Sequence, residues 1–353
     1  MTIYWLMLLV PLLAGISPFV AKGALPKLQW FIYGALLILI IGLRHEVGGD
    51  WSNYIENYAY MEDYNLSDAI MLHSISRDFG FEVIHWFSVH YLNGIYSTNM
   101  ICASIFVVGL VRLCKNMPVP WIALVVAMPY LVIVVAMGYT RQAASIGFVM
   151  WGLIDLMNGK KGMFYTMVIL GAMFHKTTMI MLPVGFLFGN SIRNPKDLLV
   201  FVLLFFIAFA TFLADSINAL VNNYLIHPGS MKSSGALIRV MMNMFAALVF
   251  LFFRKSWINS YTDASLWVIF TIITIGMVPL TFVTSTTTDR LALFFLPMQL
   301  VIFSRTPVLI VNVYNRTIFV LFVLFFYISV MFVWLNYGNF SSEWLPYQNL
   351  LFK

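Results

Sequence analysis

Charge is the scarcest thing in this chain. Only 10% of its 353 residues are Asp, Glu, Lys or Arg, against 61% hydrophobic residues and a mean hydropathy of +0.89. An ordinary soluble domain carries about 25% charged residues, and a soluble fold of this size could not cover its surface with so few. The shortage excludes a cytoplasmic enzyme and a disordered tail. Cysteine is equally scarce: Cys102 and Cys114 are the only two, which excludes a secreted disulfide scaffold. They lie twelve residues apart in one apolar run, about 18 Å along a helix, whereas a disulfide needs Cα atoms within about 7 Å. Both read as packing residues. The opening run 3–20 lacks a basic leader and an obvious small-residue cleavage site, so it reads as a spanning helix rather than a secretory signal. Tight acidic or His/Asp clusters with metal-ligand spacing are missing too. His45, Glu46 and Asp50 form only a weak set, and no metal or cofactor is expected.

What is present is a series of long apolar runs: 3–20, 28–43, 96–113, 119–137, 139–157, 198–219, 237–253, 265–283, 289–304 and 316–335. Each is close to the ~20 residues that cross a bilayer as a helix. The run 162–190 is interrupted at His175-Lys176-Thr177-Thr178 and reads as two short helices forming a hairpin. A straight span would bury His175 and Lys176 near mid-membrane at high cost. The expected fold is an all-α polytopic membrane protein, one domain over 1–353 with about twelve transmembrane helices. It has an external loop, 44–95, and an external tail, 336–353. Segment 79–92 is amphipathic and reads as an interfacial helix with its aromatics in the headgroup layer.

Basic pairs recur at every second turn: Lys22/Lys27, Arg112/Lys115, Lys160/Lys161, Arg193/Lys196, Arg254/Lys255 and Arg305/Arg316. This is the pattern of cytoplasmic turns, and it places both termini outside. The net charge of +6 then divides into about +9 inside and −3 outside, an orientation signal rather than a nucleic-acid footprint. All six histidines and eleven of the fourteen acids fall on the outer side, so function is expected there.

Several outer residues stand out. Arg44 leaves the second span ahead of Gly48-Gly49-Asp50-Trp51; paired glycines let a backbone approach a ligand closely. Arg44 either forks onto a phosphate or snorkels. Arg141-Gln142 sits in a turn too short to be a loop, and arginines at such depth face a bundle interior or a polar cavity unless they snorkel. His175, beside Lys176, is either a general base or a histidine satisfied at a helix break. Asp289 reads as the cap of the span that follows, which puts Arg290 in a first turn, unfavourable for a cation unless an anion is near. Arg239 opens the span 237–253. The loop 220–236, with His227-Pro228-Gly229 and Lys232, reads as polar and mobile. Trp344 and Tyr347 follow the last span, either as an aromatic belt or as rings that stack on sugars. Four arginines at one depth, with a single histidine among them, suggest a cavity for a polyanion whose tail stays in the bilayer, such as a lipid-linked pyrophosphate.

The set Arg44–x3–Gly48–x–Asp50–x3–Tyr54, Arg141-Gln142, Phe174-His175–x–Thr177, Asp289-Arg290 and Trp344–x–Pro346-Tyr347 resembles the EpsG family of bacterial polysaccharide proteins, related to the Wzy-type O-antigen and exopolysaccharide polymerases. It departs from the expected pattern at Phe294-Phe295, where a tyrosine would be looked for. The resemblance implies a GT-C-class membrane glycosyltransferase in the inner membrane, with its site facing the periplasm. Its donor and acceptor would be oligosaccharides on undecaprenyl pyrophosphate, and its chemistry metal-independent. His175 would act as base or hydroxyl orienter, with Asp50 as runner-up. Arg44, Arg141, Arg290 and Arg239 would hold pyrophosphate, with Gln142, Tyr54, Lys176, Asp289, Trp344 and Tyr347 towards sugar or lipid. Expected partners are membrane lipids and a separate chain-length regulator, with no nucleic acid. A flippase is the main rival, but it needs charged residues on both faces and at the midplane; a membrane acyltransferase is the second. The topology is testable by thiol labelling in intact cells. Asn93→Cys should react with an impermeant reagent and Lys115→Cys should not, and the reverse result would invert the orientation.

Overall fold

The computed structural model describes residues 1–16, 27–73, 78–189, 194–221 and 235–352. His227, Lys232, Lys22 and Arg193 lie outside them, with most of the loop 220–236. The described chain is helical throughout: α1 (Thr2–Ile16), α2 (Lys27–Gly42), α3 (Trp51–Met61), α4 (Leu66–His73), α5 (Phe79–Tyr91), α6 (Gly94–Lys115), α7 (Pro120–Ala127), a π-helical stretch (Met128–Ala136), α8 (Thr140–Met157), α9 (Lys161–Ala172), a 3₁₀ turn (Lys176–Ile180), α10 (Met181–Leu187), α11 (Pro195–Val221), α12 (Ala236–Ser260), α13 (Ala264–Val283), α14 (Ser285–Leu293), α15 (Pro297–Leu309) and α16 (Val313–Tyr337). No strand occurs among the described residues; one isolated antiparallel bridge joins Arg44 to Asn349.

Four described helices are long and apolar enough to cross a membrane: α6, α12, α13 and α16. A fifth span forms if α14 and α15, bent by 51°, are taken together. The apolar parts of α1 and α2, the α7–π segment, and the 3₁₀ turn with α10 are apolar but shorter. The molecule is apolar inside and out. Trp257, Trp267, Phe270 and Phe303 fill the core, while Phe252, Ile272, Phe282, Ile318 and Phe325 project outward. Water would penalise so much exposed apolar area; hydrocarbon would not.

The segment 121–138 runs through the middle of the bundle and is buried along its whole length. Its backbone widens into the π register beginning at Met128-Pro129. Proline has no N–H to give the α ladder, and the wider register accommodates the interruption. Further along the same stretch the Ile133 carbonyl accepts a hydrogen bond from the Trp344 indole at 2.9 Å. The pair α6 and α8 cross closely because Gly109 and Gly147 meet backbone to backbone, the small-residue contact expected within a membrane.

Several boundaries differ from the sequence expectation. Segment 44–95 is not an open loop but carries α3, α4 and α5. Helix α5 packs on α6 with Glu82 and His85 buried, whereas Phe87, His90 and Tyr91 are exposed. The break in 162–190 falls at Met173–His175 as expected. The run 289–304 is not one helix. Thr284, not Asp289, precedes α14, and Arg290 lies in the last turn of that helix, where the macrodipole favours a cation. The dipole argument for an anionic ligand at Arg290 therefore falls away. The basic turns at the other end are not purely basic either. Arg112 pairs with Asp155 at 2.7 Å, and Arg305 grips both carboxylate oxygens of Asp263 at 2.8 Å.

The C-terminal segment folds back over the first turn of the site. Gly48 N–H donates to Glu343 O at 2.8 Å, His45 N–H to Gln348 O at 3.0 Å and Leu350 N–H to Leu43 O at 2.9 Å. Gly48 has φ +105 and lies against the Met137 carbonyl, leaving no room for a Cβ. Gly48→Ala should therefore destabilise the protein by about 2–4 kcal/mol. Gly162→Ala is the control: it lies within α9 with open space around it and should be neutral or stabilising by up to ~1 kcal/mol. Thermal unfolding of the two variants in detergent checks the contrast, and equal melting temperatures would refute it.

Candidate functional site

The site forms where α5, α8 and the break after α9 meet. Helix α9 ends at Ala172, and its backbone turns through Met173, Phe174 and His175 before the 3₁₀ turn. That break exposes a carbonyl, and the start of α5 exposes amides that no helical partner satisfies. They pair with each other: Met173 O accepts from Gly80 N–H at 2.7 Å and from Phe81 N–H at 3.3 Å. In return Lys176 N–H donates to Asp78 Oδ1 at 3.0 Å. Asp78 immediately precedes α5, yet its side chain does not cap the helix. It is 4% exposed, and its other oxygen lies 3.2 Å from Arg141 Nη1 and 3.6 Å from His175 Nδ1. The His175 contact is an electrostatic one, too long for a closed hydrogen bond. His175 Nε2 is buried with no hydrogen-bond partner, and the ring stacks on Phe294 with centroids 6.1 Å apart.

Helix α8 supplies the second wall. Its first turn carries Arg141, half-exposed and also lying over the Phe81 ring at 5.8 Å. Next to it Gln142 Nε2 donates to Arg290 O at 2.8 Å, tying α8 to α14. The Arg290 side chain is exposed, and among the described residues it has no hydrogen-bond or ion-pair partner. The buried Tyr54 ring from α3 neighbours both Arg141 and Asp50. Asp50 closes the circle. Burial pushes its carboxyl above the ordinary carboxylate range, and Arg141, Arg290, Arg44 and His175, in that order, pull it back in part. A carboxylate in such a place keeps some basicity while surrounded by cations.

The structure brings Asp50, Tyr54, Arg141, Gln142, His175, Lys176 and Arg290 together. It places the other expected site residues differently. Arg44 is 1% exposed, and its guanidinium makes four internal bonds: to Ile41 O at 2.6 Å, Val47 O at 3.1 Å, Asn99 Oδ1 at 3.2 Å and Thr140 Oγ1 at 2.6 Å. It joins the end of α2 to α6 and α8 rather than presenting a fork to a ligand. Arg239 reaches Tyr130 OH and Asp289 Oδ1, each at 2.6 Å, so both Arg239 and Asp289 are engaged inside the bundle. Trp344 is 2% exposed and stands edge-on to Trp334, with no face left for a sugar or a headgroup layer. Tyr347 OH donates to Ile40 O at 2.8 Å. Both aromatic rings hold the tail against α2 and the π stretch. His45, Glu46 and Asp50 do not converge, and no cluster of three metal-ligating side chains occurs among the described residues.

Asp78 is the member of this cluster that sequence reasoning missed. An acid directly before an amphipathic helix looks like an N-cap, and only the fold shows it turned towards Arg141 and His175.

Fold and site together define an all-helical membrane protein with an ionic site at one end of its bundle. The chain matches the EpsG family over residues 27–349 and belongs to that family. No curated protein and no solved structure matches it. Membership makes it a polysaccharide polymerase-type membrane protein.

Asp78→Asn removes the charge that faces His175 and Arg141 while keeping the shape. Turnover should fall about 100-fold, the scale of a lost acid–base function. Asp78→Glu, which keeps the charge, should retain part of that turnover. Normal turnover in Asp78→Asn would exclude a role for this charge.

Proposed function

We propose that the protein polymerises lipid-linked oligosaccharide repeat units, joining a growing glycan on undecaprenyl pyrophosphate to the sugar hydroxyl of a second lipid-linked unit. The reading rests on the EpsG membership, and one observation in the site carries it. One carboxylate, Asp50, lies within the electrostatic reach of two arginines, Arg141 and Arg290, and of a histidine whose Nε2 has no partner. Arg141 and Arg290 are suited to the charge that grows on a departing pyrophosphate in a partly dry site. The acceptor oxygen bonds to the anomeric carbon of the donor, the bond from that carbon to the pyrophosphate oxygen breaks, and the hydroxyl proton passes to His175 Nε2. Asp78, facing Nδ1, favours the tautomer that leaves Nε2 as acceptor and stabilises the imidazolium. Gln142 and Tyr54 line the sugar side, and Lys176 stands beside the base. Arg44, Arg239, Asp289, Trp344 and Tyr347 hold the frame. In this reading the shorter apolar helices complete a GT-C-like bundle of about twelve spans. The site faces the periplasm at the outer leaflet of the inner membrane, and a separate regulator sets chain length.

A second assignment of the base has its own support: Asp50 lies among Arg141, Arg290, Arg44 and His175, and burial raises its carboxyl. If Asp50 takes the proton, activity is lost as pH falls through a value above the ordinary carboxylate range. Arg290→Gln, which removes a cation that holds this group down, should then move that acidic limb higher still.

Purified protein in nanodiscs, given lipid-linked oligosaccharide with and without chelator, tests the function. A ladder of longer glycans that survives chelation is the expected result, abolished in His175→Ala. Transfer of the substrate between leaflets without a ladder would replace the polymerase by a flippase. A normal ladder in His175→Ala, together with none in Asp50→Asn, would move the base to Asp50.

A further inference from the structure

The turn Gly48–Trp51 has two sides. Asp50 faces the arginines, whereas Gly48 and Trp51 form part of the wall of a separate open pocket of about 720 Å³. Three carboxylates line this pocket: Glu46, Glu56 and Glu343. Among the described residues no lysine or arginine lines it, and His45 is the only such lining group that can carry positive charge. His45 is itself held, hydrogen-bonded to Tyr96 OH at 2.5 Å and 3.5 Å from Glu46 Oε1. Rings supply the rest of the character. Trp51, Tyr58 and Tyr96 line the pocket, with the Trp51 and Tyr96 ring centroids 6.1 Å apart. Glu46 is the one described non-glycine residue with positive φ, at 52°, so its backbone is fixed in an uncommon conformation at the rim.

This combination excludes the ligand expected next door. A pyrophosphate or an acidic sugar would meet three carboxylates and no arginine. Carboxylates accept strong hydrogen bonds from hydroxyl and ammonium groups, and aromatic rings offer flat apolar surface to the C–H faces of pyranoses. The volume falls in the range of small-ligand sites, about 300–1,000 Å³.

We propose that this pocket is a glycan subsite that holds sugar rings bearing no acidic group. The proposal rests on the polysaccharide reading above and extends it. The Gly48–Trp51 turn then separates two ends of one substrate, with sugar rings in the acidic pocket and the anionic headgroup at Arg141 and Arg290. Selection against acidic rings follows from the same geometry.

Saturation-transfer NMR on the full chain in nanodiscs tests it without requiring turnover. The probes are maltopentaose, a chitosan pentamer and a pentamer of galacturonic acid. At least one of the first two should give transfer from its ring protons, and the acidic pentamer none. In the double variant Glu46→Gln/Glu56→Gln, whose side chains are exposed, that transfer should fall about fivefold. The acidic pentamer should bind better to the double variant than to the unaltered protein. Tyr96→Phe should weaken binding without changing which pentamers bind. Binding by neither non-acidic probe, or equal binding of the acidic pentamer to both proteins, would overturn the subsite. The outcome separates cleanly from the polymerase reading. His175→Ala should keep all pocket binding, and a protein that binds sugar but builds no ladder would retain the subsite and lose the polymerase.

Discussion

The carboxylate of Asp78 is held out of water where three elements meet, and the arrangement of the site depends on how that charge is compensated. Removing a carboxylate from water costs several kcal/mol. Here the cost is offset by the Arg141 guanidinium, a backbone N–H from Lys176 and the His175 imidazole. Each of these partners belongs to a different element from Asp78, so compensation of the charge is also the act of assembling the site. The mutual satisfaction of the α9 break and the α5 start adds direction, because Met173 O fixes where α5 begins. Without the break after α9, the amides of Gly80 and Phe81 would have no carbonyl to meet.

The arginines illustrate how one residue type divides into two roles once burial is known. Arg44 and Arg239 sit among oxygen acceptors within the bundle and act as cross-braces. Arg141 and Arg290 stand further out, one half-compensated and one open. Charge placed on the second pair can respond to a ligand, whereas charge on the first is already committed to structure. The same end of the bundle therefore carries rigid and available cations side by side, a combination that suits a site whose ligand gains negative charge during a reaction.

Much of this was legible in the sequence. Apolar runs gave the helical class, and the His175-Lys176 interruption marked the true break because a charge in mid-helix has few alternatives in hydrocarbon. Arg141 and Gln142 were singled out by their short turn between spans, Asp50 by the paired glycines before it and Tyr54 by the family resemblance. What was not legible depended on contacts between distant residues. Residue types near Arg44 do not separate it from the open Arg290, since its partners are two backbone carbonyls, Ile41 and Val47, and two distant side chains, Asn99 and Thr140. No pattern in the sequence singled out Asp78. Trp344 looked like a belt residue, and its burial comes from Ile133, 211 residues away in the chain. The burial of Glu82 and His85 in α5 was hidden for a related reason: periodicity reveals that a helix has two faces, not which one turns inward.

The closure of the C-terminal segment over the Gly48 turn has a temporal consequence. Tyr4 donates to the Trp344 carbonyl across 340 residues, and Gly48 relies on Glu343. At ~10 residues per second of synthesis, roughly half a minute separates the emergence of the two partners. Throughout that interval the turn that positions Asp50 lacks its bond to Glu343, however well the early helices have inserted. The turn that carries Asp50 is therefore completed only after residue 343 has been made.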